Sequence, residues 1–391
     1  MRIAPFLLIF FFVCLAAINK PLPSESLELK VSLFNSSRIK KLVLTQGRGS
    51  YKVYGDDKLL GDFVKGGFSN IKWVSGKAVI SINGSVKGSF AKIEFKGIDY
   101  ANNFKVRTVI PASEVRVFED DLTIQVQGNR LKLLNKPELN HYISGVVESE
   151  VGKNAHIEYY KLQSILCRTY ALSNINKHAG QGFNLCDEVH CQAYKGKSRH
   201  NPDILKATAA TNDLVVIDNE LNLITATFHS NCGGQTMNSE DVWSLPLHYL
   251  RSITDTFCHS EPHAKWQKFI DYSDWKKYLN NKFGLDVENP NNQKLIKSYN
   301  KVERDVFFTE KEIPLKTIRR DWRLNSTNFS IEFKSDSVHL IGKGFGHGVG
   351  LCQEGAMRMA KENYSYKSIL NKYYKNVNLV NLRALRFAKE D

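Results

Sequence analysis

The chain has 391 residues and a formal net charge of +14 at neutral pH. That length fits one large domain or two ordinary ones, and the basic surplus favours an anionic partner: a cell-wall polymer, a membrane surface or nucleic acid. No basic run is interleaved with aromatics, which sets nucleic acid aside.

Residues 1–17 carry one basic residue, Arg2, and then an apolar run that ends in Ala16-Ala17. The run is short for a membrane span and closes on small residues, so it reads as a secretory signal cleaved after Ala17. Lipidation of Cys14 and retention as an anchor are the alternatives. All three place the body of the protein outside the cytoplasm, in the periplasm or cell envelope. Residues 27–135 are expected to form an antiparallel β-rich region. Leu27, Leu29, Val31 and Leu33 alternate with polar residues, as do Leu122, Ile124 and Val126, and Asn83-Gly84 and Gly128-Asn129 sit where hairpin turns fall.

Helical signals then take over. Asn135-Lys136-Pro137-Glu138 opens a first helix with Pro in its first turn, and Ile143, Val146, Val147 and Glu150 share one face of it. A second helix is expected over about 157–174. A strand pair, 214–217 and 223–228, is joined by Asp218-Asn219-Glu220. Residues 263–330, rich in Lys, Asn and Asp, read as an inserted helical segment. A strand over 338–341 runs into a glycine loop, a helix follows from Gln353 to Lys361, and 369–374 closes the fold. The fold class is α+β: a β-rich N-terminal region, then a mixed helix and strand domain over 136–391 that carries a groove.

Glu150 is the leading candidate for chemistry. A carboxyl held against aliphatic side chains has its charged form disfavoured, so it can act as a general acid near neutrality. Glu148 points elsewhere and reads as a solvated carboxylate. Gly342, Gly344, Gly346, Gly348 and Gly350 alternate with other residues, a spacing that lets backbone approach a ligand. The loop lacks the Gly-Lys-Ser/Thr ending of phosphate sites. His347 within it reads as a donor to a sugar hydroxyl or N-acetyl group, with a buried carbonyl beneath the loop as its bland alternative, and Gln353 is a second polar contact. His229-Ser230-Asn231-Cys232-Gly233-Gly234 places a His and a Ser at a strand end, but no Gly-x-Ser-x-Gly is present and no third group orients the His. Arg168 on the second helix can meet an anionic or carbonyl-rich substrate, or pin a carboxylate such as Glu150. Cys186 and Cys191 fall within the looser range of zinc spacings, with His190 or His229 to complete a site. A local disulfide, or pairing with Cys232 or Cys258, competes with that reading.

Five blocks, in this order, carry a family resemblance: 142–151 around Glu150; 161–172 with Gln163, Arg168 and Tyr170; 227–236; 239–243; and the glycine loop through Ala356. They resemble the family of stage II sporulation protein D and the amidase enhancer LytB, over roughly residues 120–380. The resemblance implies a lytic transglycosylase that cuts between N-acetylmuramic acid and N-acetylglucosamine of peptidoglycan glycan strands, preferring strands stripped of stem peptides. It makes Glu150 the acid/base and places Gln163, Arg168, Tyr170, His229, Ser230, Gly233, Gly234, His347 and Gln353 along the substrate groove. No cofactor is required for the chemistry, while some members bind zinc through the paired cysteines, here Cys186 and Cys191. The LytB branch implies an alternative, a non-catalytic wall-binding module that recruits or enhances a cell-wall amidase. The chain departs from the family pattern at Val151, Gly152, Leu162, Cys167, Lys343 and Cys352.

Overall fold

The computed structural model describes residues 29–300, 304–308 and 313–387. The leader expected at 1–17 lies outside the described residues. The β-rich region forms two sheets. One has seven strands, ordered Leu185–Cys186, Val31–Leu33, Arg130–Lys136, Asp121–Gln127, Lys92–Gly97, Tyr51–Gly55 and Lys58–Phe63. The other has six, from Arg116–Glu119 through Asn103–Ile110 and Lys41–Arg48 to Ser85–Phe90. Period-two alternation turns Leu42, Leu44, Ile80 and Val106 of one sheet toward Val53, Ile93, Ile124 and Leu133 of the other, in a single core.

That core does not stop at the strands. Helix α1 (Leu139–Val151) buries Ile143, Val146 and Val147 in it, so the double sheet directly supports the helix that carries Glu150. Glu138 is the N-cap, its carboxylate accepting from the N–H groups of Asn140 and His141. Pro137 therefore precedes the helix instead of opening it, because a carboxylate that satisfies two otherwise unpaired N–H groups makes the better cap. Helix α2 (Ile157–Ser173) is a wall between two cores. Tyr160, Cys167 and Ala171 face the first. Tyr159, Leu162, Ile165 and Leu166 face a second, with Val216, Ile224, Leu351 and Ala356. Helix α3 (Pro202–Ala210) packs on both α1 and α2.

Two expectations need correction. The 214–217 strand pairs chiefly with Asn378–Asn381, touching 223–228 only through an Ile217–Leu223 bridge, while Phe228–His229 pairs in parallel with Leu351–Cys352. The stretch expected as an inserted helical segment is instead mixed, with helices packed on an antiparallel sheet. Strands Lys265–Asp271, Ser337–Lys343, Phe329–Lys334 and Ser298–Tyr299 form a sheet in that order. Three helices, Tyr272–Phe283, Pro290–Lys297 and Leu315–Trp322, enclose a third core with it around Trp266, Trp275, Leu279, Ile318 and Leu340. The strand signal at 265–271 is blurred because Phe269 sits on the outer face, stacked on His339 of the neighbouring strand with ring centroids 4.2 Å apart. The glycine loop thus grows out of a strand of this unit. Among the described residues no helix is long and apolar enough to cross a membrane.

Candidate active site

The last turn of α1 carries two carboxylates with opposite surroundings. The Ala193 N–H donates to Glu150 Oε1 at 2.7 Å. Burial still holds the Glu150 carboxyl above its ordinary value, against that hydrogen bond and the pull of Lys195. Glu148, expected as solvated, is instead an anchor. It accepts from the N–H groups of Arg199 and His200 and from the Ser198 hydroxyl, at 2.9–3.1 Å. Burial alone would raise its pKa, but these donors hold it below the usual carboxylate range. One helix end thus presents a carboxyl biased toward the proton beside one biased against it.

Around Glu150 lie polar groups with no strong hydrogen-bond partner among the described residues. Its charge bears on Cys167 and Tyr159 of α2, both fully buried. Among the described residues, Gln163 and the Gln192 amide nitrogen find no partner better than the Cys167 thiol, a weak hydrogen-bonding group, and the Tyr159 hydroxyl none better than Gln353. Gln353 lies beside Tyr159. Its chain neighbour Cys352 is in register with His229, whose Nδ1 donates to the Val349 carbonyl at 3.1 Å and whose buried Nε2 has no partner. Each such group costs about 1–3 kcal/mol unless a polar ligand or solvent reaches it. Weakly partnered buried groups near a proton-biased carboxyl make this a candidate functional site.

The glycine loop is built differently. Asn231 and Phe345 exchange backbone hydrogen bonds at 3.0 and 2.8 Å, and the Met237 N–H donates to Gly348. Gly233, at φ +70°, would place a Cβ 2.7 Å from the Lys343 backbone, and Gly344, at φ +80°, one 2.6 Å from the Asn231 carbonyl. These glycines let two loops of the protein press together; closeness to each other, rather than to a ligand, is what demands them. His347 departs from expectation for the same reason. Its Nε2 donates to the Phe228 carbonyl at 3.1 Å and its Nδ1 accepts from the Val349 N–H at 3.1 Å. Burial pushes its pKa down to about 4, so both nitrogens of the neutral ring are engaged inside the protein. Gly234, at φ +104°, faces His259 in the same way.

Ser230 Oγ meets His263 Nδ1 at 3.2 Å, and the same nitrogen meets Glu354 Oε1 at 2.5 Å. A charge-relay triad needs serine and carboxylate on opposite ring nitrogens, so these three do not form one. Arg168 is also placed away from the chemistry. It is wholly buried, and its guanidinium donates to the carbonyls of Thr211, Leu214 and Thr208 and to Asn140 Oδ1. Asn140 is ten residues before Glu150 on α1, about 15 Å along the axis. Arg168 therefore neither pins Glu150 nor faces a groove; it ties the end of α3 to α1 and α2. The Tyr170 hydroxyl accepts from Lys177 Nζ at 3.2 Å and sits on the side of the 186–191 cysteines.

Those cysteines meet two histidines. Ligand atoms of His178, Cys186, His190 and Cys191 all lie within 4.8 Å of one another, and Cys191 Sγ is 3.4 Å from His178 Nε2. Two thiols and two imidazoles at these separations suit a tetrahedral zinc ion. His190 belongs to this set. His229, the other expected ligand, does not, because strand pairing holds it beside Cys352. His178 was missed; its signal was a histidine eight residues before Cys186, in the turn that follows α2. The backbone N–H of Ala193 carries no sequence signal at all. The cluster begins a loop whose start, Leu185–Cys186, joins the seven-stranded sheet and whose later residues supply the donors to Glu150, Ser149 and Glu148.

A family model described as SpoIID, stage II sporulation protein, matches residues 127–217. An uncharacterised protein of Brachyspira hyodysenteriae is 27% identical over 337 residues, covering 77% of this chain and 89% of its own length. Stage II sporulation protein D of Bacillus subtilis is 27% identical over 263 residues, 62% of this chain and 74% of its own. An amidase enhancer of the same organism is 24% identical over 297 residues, 61% of this chain and 40% of its own.

Proposed function

The chain belongs to the SpoIID/LytB family, and from that premise we propose that it is a lytic transglycosylase acting on peptidoglycan glycan strands, with Glu150 as its acid/base. A role at the cell wall follows from the family and its relatives. The finer reading rests on one observation: the burial-raised Glu150 carboxyl stands near Cys167 and Tyr159, among buried amides and a hydroxyl that have at most weak partners among the described residues. In this reading the Glu150 acid gives its proton to the glycosidic oxygen as the muramic C1–O bond breaks. The resulting carboxylate takes the proton of the muramic C6 hydroxyl as that oxygen bonds to C1. The nucleophile is intramolecular, so one carboxyl serves both steps, whereas hydrolases that activate water or form a glycosyl-enzyme use two. Gln163, Gln353 and His229 would meet sugar hydroxyls or N-acetyl groups. Zinc held by His178, Cys186, His190 and Cys191 would act structurally, fixing the loop whose Ala193 N–H orients Glu150.

Digestion of intact and peptide-stripped sacculi, read by mass spectrometry, tests the proposal. Anhydromuramic ends, preferentially from stripped strands, support it; their absence at any protein concentration overturns it. The likeness to an amidase enhancer supports a second reading, a wall-binding partner that stimulates an amidase without cutting glycan itself. Stimulated release of stem peptides by an added amidase, with no anhydro sugars, would favour that reading.

A further inference from the structure

We propose that the chain binds a second metal ion, of the zinc class, through three thiolates and a carboxylate: Cys232, Cys258, Cys352 and Asp255. The four come from three separate loops. Cys232 lies in the 228–236 loop, Asp255 and Cys258 bracket the turn Asp255-Thr256-Phe257-Cys258, and Cys352 immediately precedes the helix Gln353–Lys361. All four are buried, and their ligand atoms lie within 4.8 Å of one another. Cys232 Sγ is 3.4 Å from both Cys258 Sγ and an Asp255 carboxylate oxygen. Zinc–sulfur bonds of about 2.3 Å put tetrahedral sulfurs about 3.8 Å apart, so the thiols already stand near the required spacing.

The surroundings are those of a thiolate centre. N–H groups of Cys232 and Gly355 point at Cys352 Sγ, at 3.2 and 3.4 Å, and the Gly234 N–H serves Cys258. Cys352 also caps a helix N-terminus, where negative sulfur is favoured. Tyr373 donates its hydroxyl to Asp255 Oδ2 at 2.8 Å, and the Phe257 N–H donates to Oδ1 at 3.0 Å, which fixes the carboxylate as an outer shell fixes a ligand. Three thiolates and a carboxylate around a divalent ion carry a net charge of about −2. The buried Arg304 guanidinium, which donates to the Cys232 carbonyl at 3.2 Å, offsets part of it. A Cys232–Cys258 disulfide would instead leave the Cys352 thiol and the buried Asp255 carboxylate side by side with no cation between them. Bound metal would clasp the loops that hold His229, Gly233 and Gln353.

The test uses the full chain, purified without chelators, beside its Cys186→Ser/Cys191→Ser variant, in which the other cluster no longer counts. Elemental analysis of that variant should find about one zinc per chain. Cobalt exchange should give the charge-transfer absorption of a tetrahedral thiolate site. In both proteins, peptide mapping should show Cys232, Cys258 and Cys352 protected from alkylation when folded, and all three labelled after unfolding with chelator and no reductant. A metal-free variant, or a Cys232–Cys258 cross-linked peptide that persists until reduction, overturns the proposal. Should the double variant fail to fold, zinc counted in the native chain and in its Cys258→Ser variant decides: the variant should hold about one zinc fewer per chain, and an unchanged zinc content overturns the proposal.

Discussion

The surroundings of Glu150 and the glycine loop are both rich in polar groups, yet they keep opposite accounts. In the loop, both His347 ring nitrogens, the Asn231 amide and the N–H groups of Gly344, Phe345, Gly346 and Val349 find partners within the protein, while Nε2 of the adjoining His229 is left over. Around Glu150, the buried Gln163, Gln192 and Tyr159 carry polar atoms with no strong partner among the described residues. A satisfied polar network rigidifies; an unsatisfied one is kept only where something else completes it. On the function proposed above, the loop whose sequence looks most like a ligand cradle is scaffold, and the helix pair beside it carries the chemistry.

The largest effect should come from Glu150. Glu150→Gln keeps an acceptor for the Ala193 N–H and removes the proton, so glycan cleavage should fall by about 10²–10⁴-fold while binding to stripped strands persists. Cleavage by the parent should also decline as pH rises through the elevated Glu150 pKa, since the acid form starts the reaction. A variant that cuts as fast as the parent would break the comparison at its centre.

Arg168→Ala comes next, and its effect should be on stability. Removing the guanidinium leaves the carbonyls of Thr211 and Leu214 buried and unpaired, a loss of about 2–5 kcal/mol. Melting temperature should fall clearly, while KM for glycan in the fraction that stays folded should not move. A KM shift without destabilisation would return Arg168 to the groove. Gln163→Leu sharpens the contrast from the other side. It removes two buried polar atoms whose nearest group is the weakly bonding Cys167 thiol, at similar volume, so thermal stability should rise by about 1 kcal/mol as activity drops. Reduced stability would show that Gln163 has structural partners after all.

Much of this was legible in the sequence, and the misses share a cause. Period-two alternation located the sheets, helical spacing put Glu150 on the apolar side of α1, and the helix Gln353–Lys361 falls where it was expected. Arg168 and Glu148 were misjudged, and the sugar-donor reading of His347 gave way to its alternative, because their partners are backbone groups: carbonyls at 208–214, N–H groups at 199–200, the carbonyl of Phe228. Backbone groups are the same in every residue, so spacing cannot reveal which of them a side chain will meet. The 263–330 stretch was misread because a strand with Phe269 on its outer face does not alternate. The second thiol cluster gathers residues up to 120 positions apart, and only the fold brings Cys232 to Cys352.

The smallest effect is also the most discriminating, because the two carboxylates of α1 should respond to pH with opposite signs. Glu150 has a raised pKa in the folded chain, so the native state holds its proton to higher pH than the unfolded one, and stability is lost as pH rises from the unfolded value through the folded one. Glu150→Gln removes that loss and should be more stable than the parent at neutral pH, with the gain vanishing in acid. Glu148 has a lowered pKa, so its contribution is complete above the unfolded value and is lost as pH falls through the folded one. Glu148→Gln should therefore be less stable than the parent at neutral pH, by about 1 kcal/mol for the weakened hydrogen bonds to Arg199 and His200, and should approach it in acid. Denaturant melts of the three proteins at several pH values read both signs at once. Curves that shift the same way would mean that the two carboxylates share one environment, and the asymmetry that singles out Glu150 would be gone.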